Sequence, residues 1–112
     1  MTINKKNIVE FIDKSWYNLK EEYKYIEDEY ERGLFESQNL IYEKLTKLIA
    51  NNKFSKQIIV DFIQKELYNK LKLFRRANDT NYDFGYYYGF FGCLKRFQQN
   101  FDELKELTCE KK

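Results

Sequence analysis

The stretch "YDFGYYYGFFGCLKRF", residues 82–97, decides how this chain folds. It crowds Tyr and Phe around Gly85, Gly89 and Gly92, three of the four glycines in the protein. Thr80 and Asp83 are spaced as a capping box, which starts a helix near Asn81. Phe90, Leu94, Phe97, Phe101 and Leu104 then recur at spacings of 4, 3, 4 and 3, a helical period that no strand writes. The stretch is therefore the first half of a helix. Its glycines cost about 1 kcal/mol each in a helix interior, so close contact with another backbone has to offset them. Gly85, Gly89 and Cys93 fall four apart and make a narrow stripe of small residues, with Gly92 alongside.

The N-terminal half offers a matching notch. Tyr30-x-x-Gly33-x-x-x-Ser37 repeats the pattern of Tyr82-x-x-Gly85-x-x-x-Gly89, so Gly33 and Ser37 are candidates to face the glycine stripe. The surrounding Tyr86, Tyr87, Tyr88, Phe90 and Phe91 leave the helix aromatic on every side. That is either a wet, Tyr-tipped face or a surface that meets a second chain.

Upstream, Ile12, Trp16, Leu19, Tyr23, Ile26, Tyr30, Gly33, Ser37 and Leu40 form a heptad seam held in phase for four repeats. The seam predicts one long helix from about Asn4 to Ala50, about 70 Å at the standard rise. A kink near Gly33 is the alternative. "ANNKFSKQI" ends this helix and starts a second at the N-cap Ser55, with Phe54 placed to staple onto Ile59. The second helix buries Ile59, Phe62, Ile63, Leu67, Leu71 and Phe74, and stops in the turn-forming "RRANDTN". The expected architecture is all-α in a single domain, 1–112. A long N-terminal helix is packed by two shorter antiparallel helices, as a three-helix bundle or an elongated coiled-coil hairpin.

Composition narrows the chemistry. The chain has 112 residues, 19% of them aromatic, and neither His nor Pro. Without His there is no Ser-His-Asp or Cys-His nucleophile system within the chain, and the commonest metal ligand is missing. No glycine-rich phosphate loop or Cys/His cluster is present, so no catalytic, cofactor or metal residue is assigned. Cys93 and Cys109 would lie about 24 Å apart if one continuous helix carries both, too far to pair, and two reduced thiols suit a reducing compartment. The longest apolar-rich stretch, residues 84–94, is about half of what spans a bilayer. The expectation is a cytoplasmic protein without a membrane segment.

Charge is patterned. Residues 21–36 carry Glu21, Glu22, Glu27, Asp28, Glu29, Glu31 and Glu36 against Lys24 and Arg32, a local charge of −5. Such a band is a solvated helix face, or a negative surface that fills a partner's basic groove. Residues 56–76 carry +4, and Lys70, Lys72, Arg75 and Arg76 are the candidates for phosphate contact. The whole chain is only +2, below the charge of a typical nucleic-acid-binding domain. An antiparallel arrangement would pair this basic helix with the acidic one.

Tyr-rich, charge-patched surfaces are the material of protein interfaces. The contact candidates are Tyr23, Tyr25, Tyr30, Tyr86, Tyr87 and Phe91, with Glu27, Asp28 and Glu31 steering approach. The "YDFGYYYGFFGCL" helix start and the Lys/Glu/Tyr-rich long helix resemble small orphan helical proteins of phages, plasmids and other mobile elements from A/T-rich bacteria. The resemblance implies a non-enzymatic protein that occludes a host enzyme, as anti-CRISPR proteins do, or neutralises a toxin, as immunity proteins do. No site residue transfers from it. The expected partner is another protein, with a homodimer through the glycine and aromatic face. A nucleic-acid-binding regulator and a structural coiled-coil adaptor using the Ile12–Leu40 seam are the alternatives.

Overall fold

The computed structural model describes residues 1–74 and 80–107, leaving out the side chains of residues 68 and 70–74. Four α-helices follow in order: α1 (Lys5–Glu22), α2 (Glu29–Asn51), α3 (Lys56–Phe74) and α4 (Asn81–Asn100), then a short 3-10 turn at Asp102–Leu104. No strand occurs among the described residues. The caps at Ser55 and Thr80 form where the sequence places them. The Ser55 hydroxyl accepts the Ile58 N–H at 3.2 Å and that of Thr80 accepts the Asp83 N–H at 3.0 Å.

The single long N-terminal helix is corrected to two. The chain leaves helix at residues 23–28, not at Gly33, which lies inside α2. Asp28 is the reason: its Oδ1 accepts the Glu31 N–H at 2.9 Å, while the Glu31 carboxylate accepts the Glu27 N–H at 3.2 Å. These two bonds satisfy amide donors that the start of α2 would otherwise leave unpaired. Folding back also buries what a straight rod would expose. The molecule measures 37 × 37 × 24 Å, half the length of the expected helix in its longest dimension.

Trp16 on α1 donates from Nε1 to Asn39 Oδ1 at 2.7 Å, and Tyr23 stacks toward Phe35 with ring centroids 6.4 Å apart. α1 therefore lies antiparallel to α2. The N-terminal end of α1 reaches the other end of the molecule, where the Phe11 ring meets Phe97 and Phe101 edge-on at 4.9 and 5.3 Å. There the chain start is strapped down: Asp102 N–H donates to the Met1 carbonyl at 2.9 Å, and Ile3 N–H donates to the Glu103 carboxylate at 3.0 Å.

The neighbours are not all antiparallel. Gly33 lies against Tyr82 and Gly85, Gly89 against Leu34 and Ser37, and Arg96 against Gln38 and Tyr42. Residue numbers rise together along this contact, so α2 and α4 run in the same direction, and they form the most extensive helix pair. α3 returns antiparallel to both, pairing Lys44 with Glu66 at one height and Lys56 with Glu103 at another. The core joins Ile8, Ile12 and Leu19 of α1, Ile41, Tyr42 and Leu45 of α2, Ile59, Ile63 and Leu67 of α3, and Phe90, Leu94 and Phe97 of α4.

Candidate functional site

Two regions hold the candidate residues, and they adjoin. The first is the crossing of α2 and α4. A Cβ on Gly33 would meet the Tyr82 carbonyl oxygen and, at 2.5 Å, the Tyr86 nitrogen. On Gly85 it would strike the Tyr30 carbonyl, and on Gly89 it would lie 2.7 Å from the Leu34 carbonyl oxygen. These neighbours are backbone and cannot swing away. Gly92 differs: a Cβ there would touch nothing nearer than Arg96 at 3.9 Å, so Gly92 is not part of the close approach.

Small polar groups line the seam instead of bulk. Buried Ser37 donates its hydroxyl to the Gly33 carbonyl at 2.9 Å, and Gln38 donates to the Leu34 carbonyl at 2.9 Å. The Arg96 guanidinium spans the helices, donating to Gln38 Oε1 at 2.5 Å and to the Tyr42 hydroxyl at 3.1 Å. Among the described residues every buried side-chain nitrogen and oxygen has a partner. Burial pushes the Tyr42 phenol up to about 12 and the Cys93 thiol, the third small position of the stripe, up to about 11. A thiol held that high is a packing element rather than a nucleophile. Cys109 lies outside the described residues.

The glycine stripe also sorts the aromatic side chains of α4. Residues just after a glycine turn inward: Phe90 is fully buried and Tyr86 half-buried. Phe84 and Tyr88, just before Gly85 and Gly89, turn outward and are exposed. Tyr87 and Phe91, expected at an interface, are half-buried against one another with centroids 4.6 Å apart. Tyr88 is one of the aromatic residues expected around the stripe, whereas Phe84 is not, although its offset from Gly85 equals that of Tyr88 from Gly89. Tyr82 donates its hydroxyl to Glu36 at 2.5 Å, and burial followed by that carboxylate raises its phenol to about 12.

The second region is the bend at residues 23–28 with the first turn of α2. Tyr23 is half-buried, its phenol raised by burial and then by Glu22 and Glu31. Tyr25 is 80% exposed, Ile26 42% and Tyr30 38%. Ile26, Asp28, Glu29, Arg32, Phe35 and Glu36 line an open cleft of about 350 Å³ beside them. Not every acid here is free to meet a partner: Asp28 and Glu31 cap α2, Glu29 holds Arg32 at 3.1 Å, and Glu36 accepts from Tyr82. Tyr30 belongs to both regions, because its carbonyl abuts Gly85 while its side chain is exposed.

The other candidates do not gather here. Lys70 and Lys72 carry side chains outside the description, and Arg75 and Arg76 lie outside the described residues. The expected pairing of a basic second helix with an acidic first one is reversed in the ion pair described between α2 and α3. There α2 supplies the cation, Lys44, and α3 the anion, Glu66, at 3.4 Å.

Among the described residues no group of three or more His, Cys, Asp or Glu could hold a metal, and no helix is long and apolar enough to cross a membrane. Among the described residues the two carboxylates with lowered pKa, Asp102 and Glu103, serve the strap. Lys105 and the Met1 amine hold Asp102 down; burial opposes ionisation of Glu103, but the Ile3 N–H and Lys56 outweigh it. No protein-family model, curated protein or solved structure matches the chain.

Proposed function

We propose that this is a non-enzymatic protein-binding module that docks through its 23–30 end onto a basic surface of another protein and occludes it. The anti-defence and toxin-immunity proteins of mobile elements act in this manner. One observation carries the reading: Tyr25, Ile26 and Tyr30 stand exposed together within a segment of net charge −5. Aromatic anchors surrounded by one sign of charge combine binding energy with electrostatic steering. None of the three is among the buried residues of the core, so the fold does not account for them.

The test compares retention of host proteins by immobilised wild type and by Tyr25→Ala/Tyr30→Ala, each shown to be helical. The reading requires a protein held by wild type, lost by the double variant and released by salt. Retention of duplex DNA instead, lost on changing Lys70, Lys72, Arg75 and Arg76 and falling steeply with salt, would replace it with a nucleic-acid regulator.

A further inference from the structure

We infer that residues 23–28 are a hinge through which two copies of this chain exchange α1, the hinge straightening so that α1 and α2 become one helix in each copy. The inference does not depend on the identity of any other partner.

Three observations meet at the hinge. The heptad seam runs through it in register: Leu19, Tyr23, Ile26, Tyr30 and Gly33 keep the 4, 3, 4, 3 spacing although the chain there is not helical. A connection used only as a turn has no reason to keep that phase. Asp28 caps α2 and favours the break, but no residue of the hinge forbids a helix. The hinge reads Tyr-Lys-Tyr-Ile-Glu-Asp, with neither Gly nor Pro, and no described residue has a positive φ. The Tyr23 N–H already donates to the Leu19 carbonyl at 3.0 Å, the bond a continued helix would make. Lastly, Ile26 is a seam residue left 42% exposed, and Tyr30 next along the seam is 38% exposed.

A straight hinge answers each of these. Backbone groups unpaired at the end of α1 and the start of α2 would enter one continuous ladder. The contacts that hold α1 would re-form against the second copy: Trp16 on Asn39, Phe11 on Phe97 and Phe101, and residues 1–3 on Asp102 and Glu103. Exchange of an identical element repeats the closed interface at little cost. Ile26 and Tyr30 would then lie along a single stripe, free to pack against the same stripe of the other copy. Against exchange stand the Asp28 cap and the loss of translational freedom, so the balance depends on concentration.

The experiment is light scattering on protein refolded from denaturant at a series of concentrations. Wild type is expected to yield a dimer fraction that rises with refolding concentration and dissociates slowly on dilution. Asp28→Ala, which removes the cap, should raise that fraction severalfold. Ile26→Pro, which forbids the straight helix, should abolish it. A second variant guards against misfolding of the first: Tyr23→Cys/Phe35→Cys in a Cys109→Ser background, bridged by a short, cleavable bis-thiol cross-linker. The native rings at these positions have centroids 6.4 Å apart in the hairpin, so a short linker can span them, whereas a straight helix separates their Cα atoms by about 18 Å. Bridged, the locked hairpin should remain monomeric; cleaved, it should dimerise. Monomers at every concentration for both wild type and Asp28→Ala overturn the proposal. So does a dimer that the locked hairpin still forms, which would be a side-by-side contact.

Discussion

The α2–α4 crossing and the 23–30 end sit on one helical seam and differ in what fills it. At the crossing the seam positions are Gly33 and Ser37, and the helices approach until no methyl group fits between them. Three and seven residues before Gly33 the positions are Tyr30 and Ile26, and the side chains stand in solvent. Apolarity alone thus does not say where a helix is covered. Small residues mark where two helices closed on one another, and at Ile26 and Tyr30 the same seam is left without cover among the described residues.

The sharpest way to break the contrast is one substitution made at two glycines. Gly85→Ala drives a methyl into the Tyr30 carbonyl and should destabilise by about 3 kcal/mol, the upper part of the overpacking range. Gly92→Ala meets only ordinary contact with the Arg96 side chain and should stabilise by about 1 kcal/mol through helix propensity. Urea midpoints at equal slope measure both; equal shifts would mean that the close approach does not exist.

Alkali should act next. Tyr42 is raised from 10.0 and Cys93 from 9.0, so both hold their protons more tightly folded than unfolded. Stability present below pH 9 should fall as pH rises through about 11 and 12, and Tyr42→Phe should flatten the upper part of that fall in thermal melts.

At the other region effects should be smaller. Asp28→Ala removes a cap and should cost the monomer about 1 kcal/mol. Tyr25→Ala should leave stability within about 0.5 kcal/mol, because that ring is solvated; calorimetry showing a larger loss would place it in the fold rather than at an interface.

What the sequence made legible follows the range of the interactions. Helix type, the caps at Ser55 and Thr80 and the small-residue notches are local, spelled within eight residues. The break at 23–28 is also spelled locally, since Asp28-x-x-Glu31 has the same form as Thr80-x-x-Asp83. It is hidden because the seam stays in phase across it, keeping the period that a straight helix would also show. The parallel direction of α2 and α4 is not local at all: a stripe of glycines reads the same from either end. At the candidate site, exposure of Tyr25 and Tyr30 depends on what the bend leaves uncovered. The acids divided by geometry, Asp28 and Glu31 to capping and Glu36 to Tyr82, which charge counting does not distinguish.

The parallel pairing of α2 with α4 also orders events on the ribosome. Gly33 and the glycine that receives it are about fifty residues apart, with α3 made between them. At roughly 5–20 residues per second, α2 waits on the order of seconds with its inner face bare. The strap residues of the chain start wait longer still, since Asp102 and Glu103 follow α4. A chain halted before Asn81 has its first three helices but not the α4 surface on which α2 closes, so its newest residues decide whether its oldest ones fold.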